Sequence, residues 1–372
     1  MTRKQSIFTL ASVYVGTVIG AGFASGQEVL QFFGKYGYKG IPGIIVITIL
    51  FSLLGASVLN TVYMKKIRGF GEFATLYFGR AFFVVINIVL IFLLFISYVV
   101  MLSGSGAVIY ENFKIPYVYG IFIMAVITFY VFVFGIKGIA KANNIAVPFL
   151  ILAILWIGIN VICKNKALFS NFYTYPLQSM DLGEPTNILE IFKFSMISFI
   201  NKNNWLWSAL LYISFNSIGA IVVMSSLQPL IADRKAAILG GILGGVVLGI
   251  LAMVILISLL ILYTDIIGIE VPMIVAAGSL GTVWKQIYGV VLFLAMFTTA
   301  IANGHGCISG IANLTKIDIK IISAIVCMIS IPLATLGFKK LVVFFYPLFG
   351  YIGMLFICAV VFKNRIKHRG FY

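Results

Sequence analysis

The sequence predicts an all-α integral membrane protein of about ten transmembrane helices, built as a five-plus-five inverted repeat with spans one and six broken. Three observations predict it. Hydrophobic residues make up 62% of the 372 and charged residues only 10%, with a mean hydropathy of +1.13, whereas soluble chains carry about 25% charged residues. Apolar runs of about 20 residues, the length that crosses a hydrocarbon core, recur from end to end. The two halves also echo each other: Ile19-Gly20-Ala21 returns 199 positions later as Ile218-Gly219-Ala220, and Gly104-Ser105-Gly106 returns after 200 as Gly304-His305-Gly306. Five is an odd number of crossings, so the second half enters from the opposite face.

The spans fall at roughly 6–33, 41–63, 81–110, 116–135, 143–163, 204–230, 236–263, 284–312, 319–337 and 340–362. Residues 1–372 thus read as one transmembrane domain, with repeats at about 6–163 and 204–362 and an extracellular loop at 164–203. The first run lacks a small-residue cleavage site and leads straight into another span, so it is expected to be a span and not a signal peptide. A second irregular piece, 264–281, carries Asp265, Glu270 and Pro272 and reads as a short helix over the outer mouth.

A net charge of +16 would suit nucleic acid, but the cations lie in the short connections between spans. With both termini cytoplasmic, 16 of the 26 Lys and Arg fall on the inner side, as orientation in a cell membrane requires. The partners expected are the lipid bilayer and a small solute, with no nucleic acid and no obligate protein partner. Cys163, Cys307, Cys327 and Cys358 show no metal-ligand spacing and read as small hydrophobes.

The stretch Ser12 to Glu28 is unusual for a span, because Gly16, Gly20, Gly22 and Gly26 stand where a lipid-facing helix carries Leu or Ile. Each glycine costs a helix interior roughly 1 kcal/mol relative to Ala. An opened helix bares backbone groups, which a membrane tolerates only where they face protein, water or a ligand. Span six, with Ser214, Asn216, Ser217 and Gly219, is expected to open in the same way. Corresponding interrupted segments in inverted halves point to a transporter's central site. For Gly240, Gly241, Gly244, Gly245 and Gly249 in span seven, close helix packing is the expectation instead.

Glu28 is the acidic residue well inside a predicted span, and such residues are functional candidates by default. It lies about 9 Å beyond Gly22 at 1.5 Å per residue, toward the outer vestibule. Its options are to receive a substrate ammonium, to carry a coupling proton, to pair with Gln27 and a neighbouring helix, or to face outer water. His305 is a candidate proton relay or, equally, a hydrogen-bonded core histidine. The N–H groups of Gly20, Ala21 and Gly22 would open a half-helix whose positive end suits a carboxylate. Phe215, Asn216, Ser217 and Gly219 are the span-six candidates for substrate contact.

These residues resemble the amino acid–polyamine–cation transporter superfamily, in particular its sodium-coupled members with the LeuT fold. The likeness covers all ten spans in arrangement and spans one, six and eight in local sequence. It implies a sodium site made of the carbonyls of Gly16 and Ile19 with Ala295, Thr298 and Thr299 of span eight; the alternative is that both threonines bond back to their own helix. It also implies that Tyr98 and Ser103 of span three face the substrate, with ordinary helix packing of Tyr98 as the alternative. Phe23 and Ile213 stand where a second sodium would need side-chain ligands, and Gly26 replaces the outer gate arginine. The Ser-Gly-Gln-Glu pattern of span one is similar to that of a bacterial membrane-protein family labelled YkvI, a label that brings no substrate.

The function expected is secondary active transport of a small organic solute, an amino acid, by alternating access with sodium as coupling ion. Proton coupling, exchange, and a non-transporting ligand sensor stay open as alternatives. A channel would need a continuous polar pore, whereas the polar residues cluster at the two breaks. Catalysis is not expected: the glycine run 20–26 lacks the strand and βαβ unit of a dinucleotide loop, and no catalytic triad or paired carboxylates are recognisable. No cofactor is expected besides sodium.

Overall fold

The computed structural model describes residues 1–134, 139–165 and 204–369. Those residues form helices and connections with no strand among them. In chain order the helices are α1 (Arg3–Val18), α2 (Ala21–Ala24), α3 (Gln27–Phe32), α4 (Ile41–Lys65), α5 (Phe70–Phe113), α6 (Tyr117–Phe134) and α7 (Ile139–Lys164). They continue with α8 (Trp205–Met224), α9 (Arg234–Ile261), α10 (Tyr263–Ile266), α11 (Pro272–Gly278), α12 (Thr282–Thr315), α13 (Ile319–Ala334) and α14 (Phe338–Arg369). The predicted loop 164–203 lies almost wholly outside the described residues.

Among the described residues, eight helices are long and apolar enough to cross a membrane. The other two predicted spans are helical but shorter. Span one is divided into α1, α2 and α3, and α13 runs only 16 residues. The protein is a helical, multi-pass membrane protein.

Span one breaks as expected, and its glycines explain where. At Ile19 the chain makes an inverse γ-turn (φ −74°, ψ 86°), with the Gly20 N–H donating to the Val18 carbonyl at 2.9 Å. Gly20 is extended, and α2 begins after it. A second interruption falls at Gly26, whose φ of +80° is a left-handed conformation that L side chains avoid. A Cβ there would also press on Leu259 at 2.7 Å.

Span six does not break. α8 is continuous through Ser214, Asn216, Ser217 and Gly219. The reason is that its polar side chains serve their own helix: Ser214 donates to the Leu210 carbonyl at 2.7 Å, Asn216 Nδ2 to Tyr212 at 3.1 Å and Ser217 to Ser214 at 2.8 Å. Polar side chains satisfied in this way do not force a helix open, and an unbroken ladder is the lower-energy state in an apolar medium.

The core is organised on α9, which packs on both α4 and α1. Gly241, Gly245 and Gly249 face Gly55, Ser52 and Thr48 of α4, while Gly240 and Gly244 face Leu10 and Tyr14 of α1. Small residues at this spacing let backbones meet, so the span-seven glycines are packing residues. The N-terminus of α9 is capped by Asp233, which accepts the Ala236 N–H at 2.7 Å and pairs with Arg3. The Ala236 N–H first, then Arg3, hold this carboxyl below the ordinary aspartate value. A depressed carboxyl contributes stability that is present above its unfolded-state value and lost as pH falls through its folded one. Asp233→Ala is therefore expected to lower the melting temperature more than Asp233→Asn, which keeps a capping oxygen. Its deficit should shrink in acid, as pH-resolved thermal denaturation would show.

Candidate functional site

The break between α1 and α2 is the centre of the candidate site. Among the described residues, the carbonyls of Gly16, Thr17 and Ile19 receive no hydrogen bond, because the turn at Ile19 diverts the donors that would continue the helix. The N–H groups of Ala21 and Gly22 likewise find no backbone acceptor among them. Gly20 is half-buried, and a Cβ built on it meets nothing within 4 Å. Gly219 of α8 also has open space at its Cβ position. An opened backbone beside free volume is the arrangement that can take up a small ligand.

The part of the segment that follows the break is tied down by three elements. Tyr288 of α12 donates its hydroxyl to the Ala24 carbonyl, and the Met273 N–H of α11 donates to Ser25 at 3.0 Å. Ser208 of α8 donates to the Phe32 carbonyl at 2.7 Å. The irregular piece 264–281 thus contains two short helices, and α11 is buried against the break. Just before α11, Glu270 accepts the Phe338 N–H of α14 at 3.1 Å. Burial pushes its carboxyl above the ordinary glutamate value, against the pull of that N–H and of Tyr117.

Glu28 is not in an open vestibule. It is 3% exposed, and its side chain folds back over the break so that a Cβ on Gly22 would overlap its Oε1. The reason is the turn at Gly26, which reverses α3 enough to aim the carboxyl at the start of α2. Phe23 presents its N–H to it, and Tyr212 of α8 donates its hydroxyl to Oε2 at 3.4 Å. The position expected to hold a substrate carboxylate therefore faces a carboxyl of the protein itself.

Other predicted residues are placed as follows. Phe215 stacks on Tyr346 of α14 (ring centroids 4.5 Å apart) and Asn216 is half-buried. Tyr98 is fully buried between α5, α6 and α13, bonded to Thr128 at 2.8 Å and to the Cys327 thiol at 3.4 Å. It packs edge-to-face on Phe132, so its hydroxyl is engaged by α6 and α13. Ser103 bonds Tyr117 and the Ala334 carbonyl. His305 is half-buried and bonded to Ser309 of its own helix at 3.2 Å. For the sodium set, Gly16 lies against Val147 of α7, Ala295 and Thr298 are buried, and Thr299 is half-buried. Thr298 donates to the Ala295 carbonyl at 3.1 Å, the back-bonded alternative. Sequence reasoning missed Tyr212, Tyr288, Tyr346 and Met273. The signal available was that a buried Glu28 needs hydroxyl or amide partners on neighbouring spans, and Tyr212 sits one turn before Asn216.

No family model matches the chain. It is similar to the uncharacterized membrane protein YkvI of Bacillus subtilis (strain 168), 28% identical with 98% of each chain covered. It is also similar to the uncharacterized protein YyaD of the same strain, 24% identical over 95% of this chain and 96% of that one. Among solved structures, the manganese transporter of Eremococcus coleocola, as its H236A mutant, aligns with a TM-score of 0.56 at 15% identity, over 95% of this chain and 77% of the other. The same transporter in complex with an aromatic bis-isothiourea substituted compound aligns at 0.54 over 90% and 71%. The chain is a multi-pass helical membrane protein whose fold is similar to that of a membrane transporter.

Proposed function

We propose that the protein is a secondary active transporter of a small organic solute, an amino acid, working by alternating access. The observation that carries this is the broken span one, with unpaired backbone groups beside the open space at Gly20. The transporter-like fold supports it, while the manganese of the structural neighbour stays with that protein, since the likeness concerns fold alone. In this reading the ten spans form the two inverted repeats of the LeuT arrangement within one domain. Both termini are cytoplasmic in a bacterial cell membrane, which the Lys and Arg distribution supports. The solute meets Gly20, Ala21, Gly22, Phe215, Asn216, Ser217 and Gly219.

Sodium is the proposed coupling ion, held by the carbonyls of Gly16 and Ile19 with Ala295, Thr298 and Thr299. A hard cation wants oxygen ligands, and the freed carbonyls supply them without adding charge. Thr298 would have to turn away from the Ala295 carbonyl to join them. A ligand that binds the folded state raises apparent stability by mass action. The test is thermal stability of the purified protein across an amino-acid and amine panel, in sodium or in choline. A ligand shift that grows with sodium is expected, and Thr298→Ala should remove the sodium increment while keeping the fold. Unchanged sodium activation in that variant would exclude the site. A ligand shift indifferent to sodium would exclude sodium coupling and leave the transporter reading standing.

A further inference from the structure

Glu28 has surroundings unlike those of the other carboxylates described. Its side chain is 3% exposed and lies over the broken backbone at Gly22. The titratable side chains turned to it are Tyr212 of α8 and Tyr346 of α14. Among the described residues, the elements packed on α3 bring it no cation. Lys35, on the turn after α3, holds its ammonium 5.2 Å from the Tyr36 ring centroid. Lys339 of α14 is beside Glu270, and Arg234 at the far end of α9 bonds Asn60. Among the described residues Glu28 forms no salt bridge. The amide of neighbouring Gln27 is fully buried and also without a partner among them.

An ionised carboxylate here would rest on one backbone N–H and one long hydroxyl contact. Burying a charge with so little compensation is costly, and such groups become neutral instead. A metal cation would require oxygen ligands on several sides, and among the described residues no cluster of three or more His, Cys, Asp or Glu is present to hold one. A proton requires no such shell.

We propose that Glu28 is a proton-binding residue of the transport cycle, protonated while α2 and α3 are closed against α8 and α14. On opening, its O–H bond breaks, the proton passes to water, and the carboxylate left behind is hydrated. This rests on reading the break as the transport site, and it places the proton apart from the carbonyls proposed for sodium. The proton favours the closed state, so that state is most populated at low pH and is lost as pH rises.

The test uses the full-length protein in lipid vesicles with no solute, from acid to alkaline pH. Infrared spectra should contain a protonated-carboxyl band that Glu28→Gln lacks and Glu270→Gln keeps. Amide exchange in residues 19–33, corrected for intrinsic rate, should rise by up to about tenfold per pH unit between the carboxyl's open-state and closed-state titrations and level off beyond them, as one titrating group requires. It should stay slow at every pH in Glu28→Gln. If that variant does not fold, Glu28→Asp should keep the pH dependence with a displaced midpoint. An unchanged carboxyl band in Glu28→Gln, or an identical exchange profile in wild type and variant, would overturn the proposal. Because no solute is present, a failure of the transport reading leaves these outcomes intact, and the reverse also holds.

Discussion

Gly241→Leu is expected to give no stable, monodisperse protein. Gly241 of α9 meets the backbone of Gly55 and Ala56 on α4, and any Cβ there would overlap main-chain atoms that have no rotamer to escape into. Overpacking a well-packed interior costs about 1–3 kcal/mol, and more when backbone must move. Here a whole leucine would separate α4 from α9, and with them the contacts at Gly245 and Gly249. The loss should approach the few kcal/mol that hold a domain together. Ile242→Leu, one position along on the exposed face, should be neutral. Size-exclusion profiles and melting temperatures of the two variants in detergent check this. Equal stability would show that α4 and α9 do not approach as described.

Gly20→Leu should do the opposite, leaving the fold and removing the function. Gly20 has φ −92° and ψ −179°, extended backbone that leucine adopts without strain, and nothing lies within 4 Å of its Cβ position. Losing glycine's freedom in the unfolded chain is by itself slightly stabilising. The new side chain enters the space that the proposed solute would occupy. Insertion and melting temperature should match wild type, while ligand-induced stabilisation disappears.

Much of the architecture was legible because long apolar runs have few alternatives in a membrane. Nine predicted spans coincide with helices to within a few residues at most ends; α5 begins earlier, at Phe70, in an extension that hydropathy did not mark. The break in span one was legible because Gly20 and Gly22 remove the reasons to stay helical. Span six misled because Ser214, Asn216 and Ser217 look like breakers, yet each hydrogen-bonds a carbonyl of its own helix. Sequence shows that a polar group needs a partner without showing which one. The same ambiguity explains Tyr98, whose partners Thr128 and Cys327 lie on distant spans. Glu28 was recognised as a candidate but aimed outward, since straight-helix spacing ignores the left-handed turn at Gly26 that folds it back.

Counterflow in proteoliposomes tests whether a solute crosses at the opened span one. Vesicles loaded with unlabelled amino acids would be offered the same mixture in radiolabelled form, with wild type and Gly20→Leu reconstituted side by side. The account predicts rapid label uptake by wild type and uptake near that of empty vesicles for Gly20→Leu, at equal protein and equal melting temperature. Equal uptake by both would place the transport site elsewhere, and no uptake by wild type across the mixture would contradict amino-acid transport.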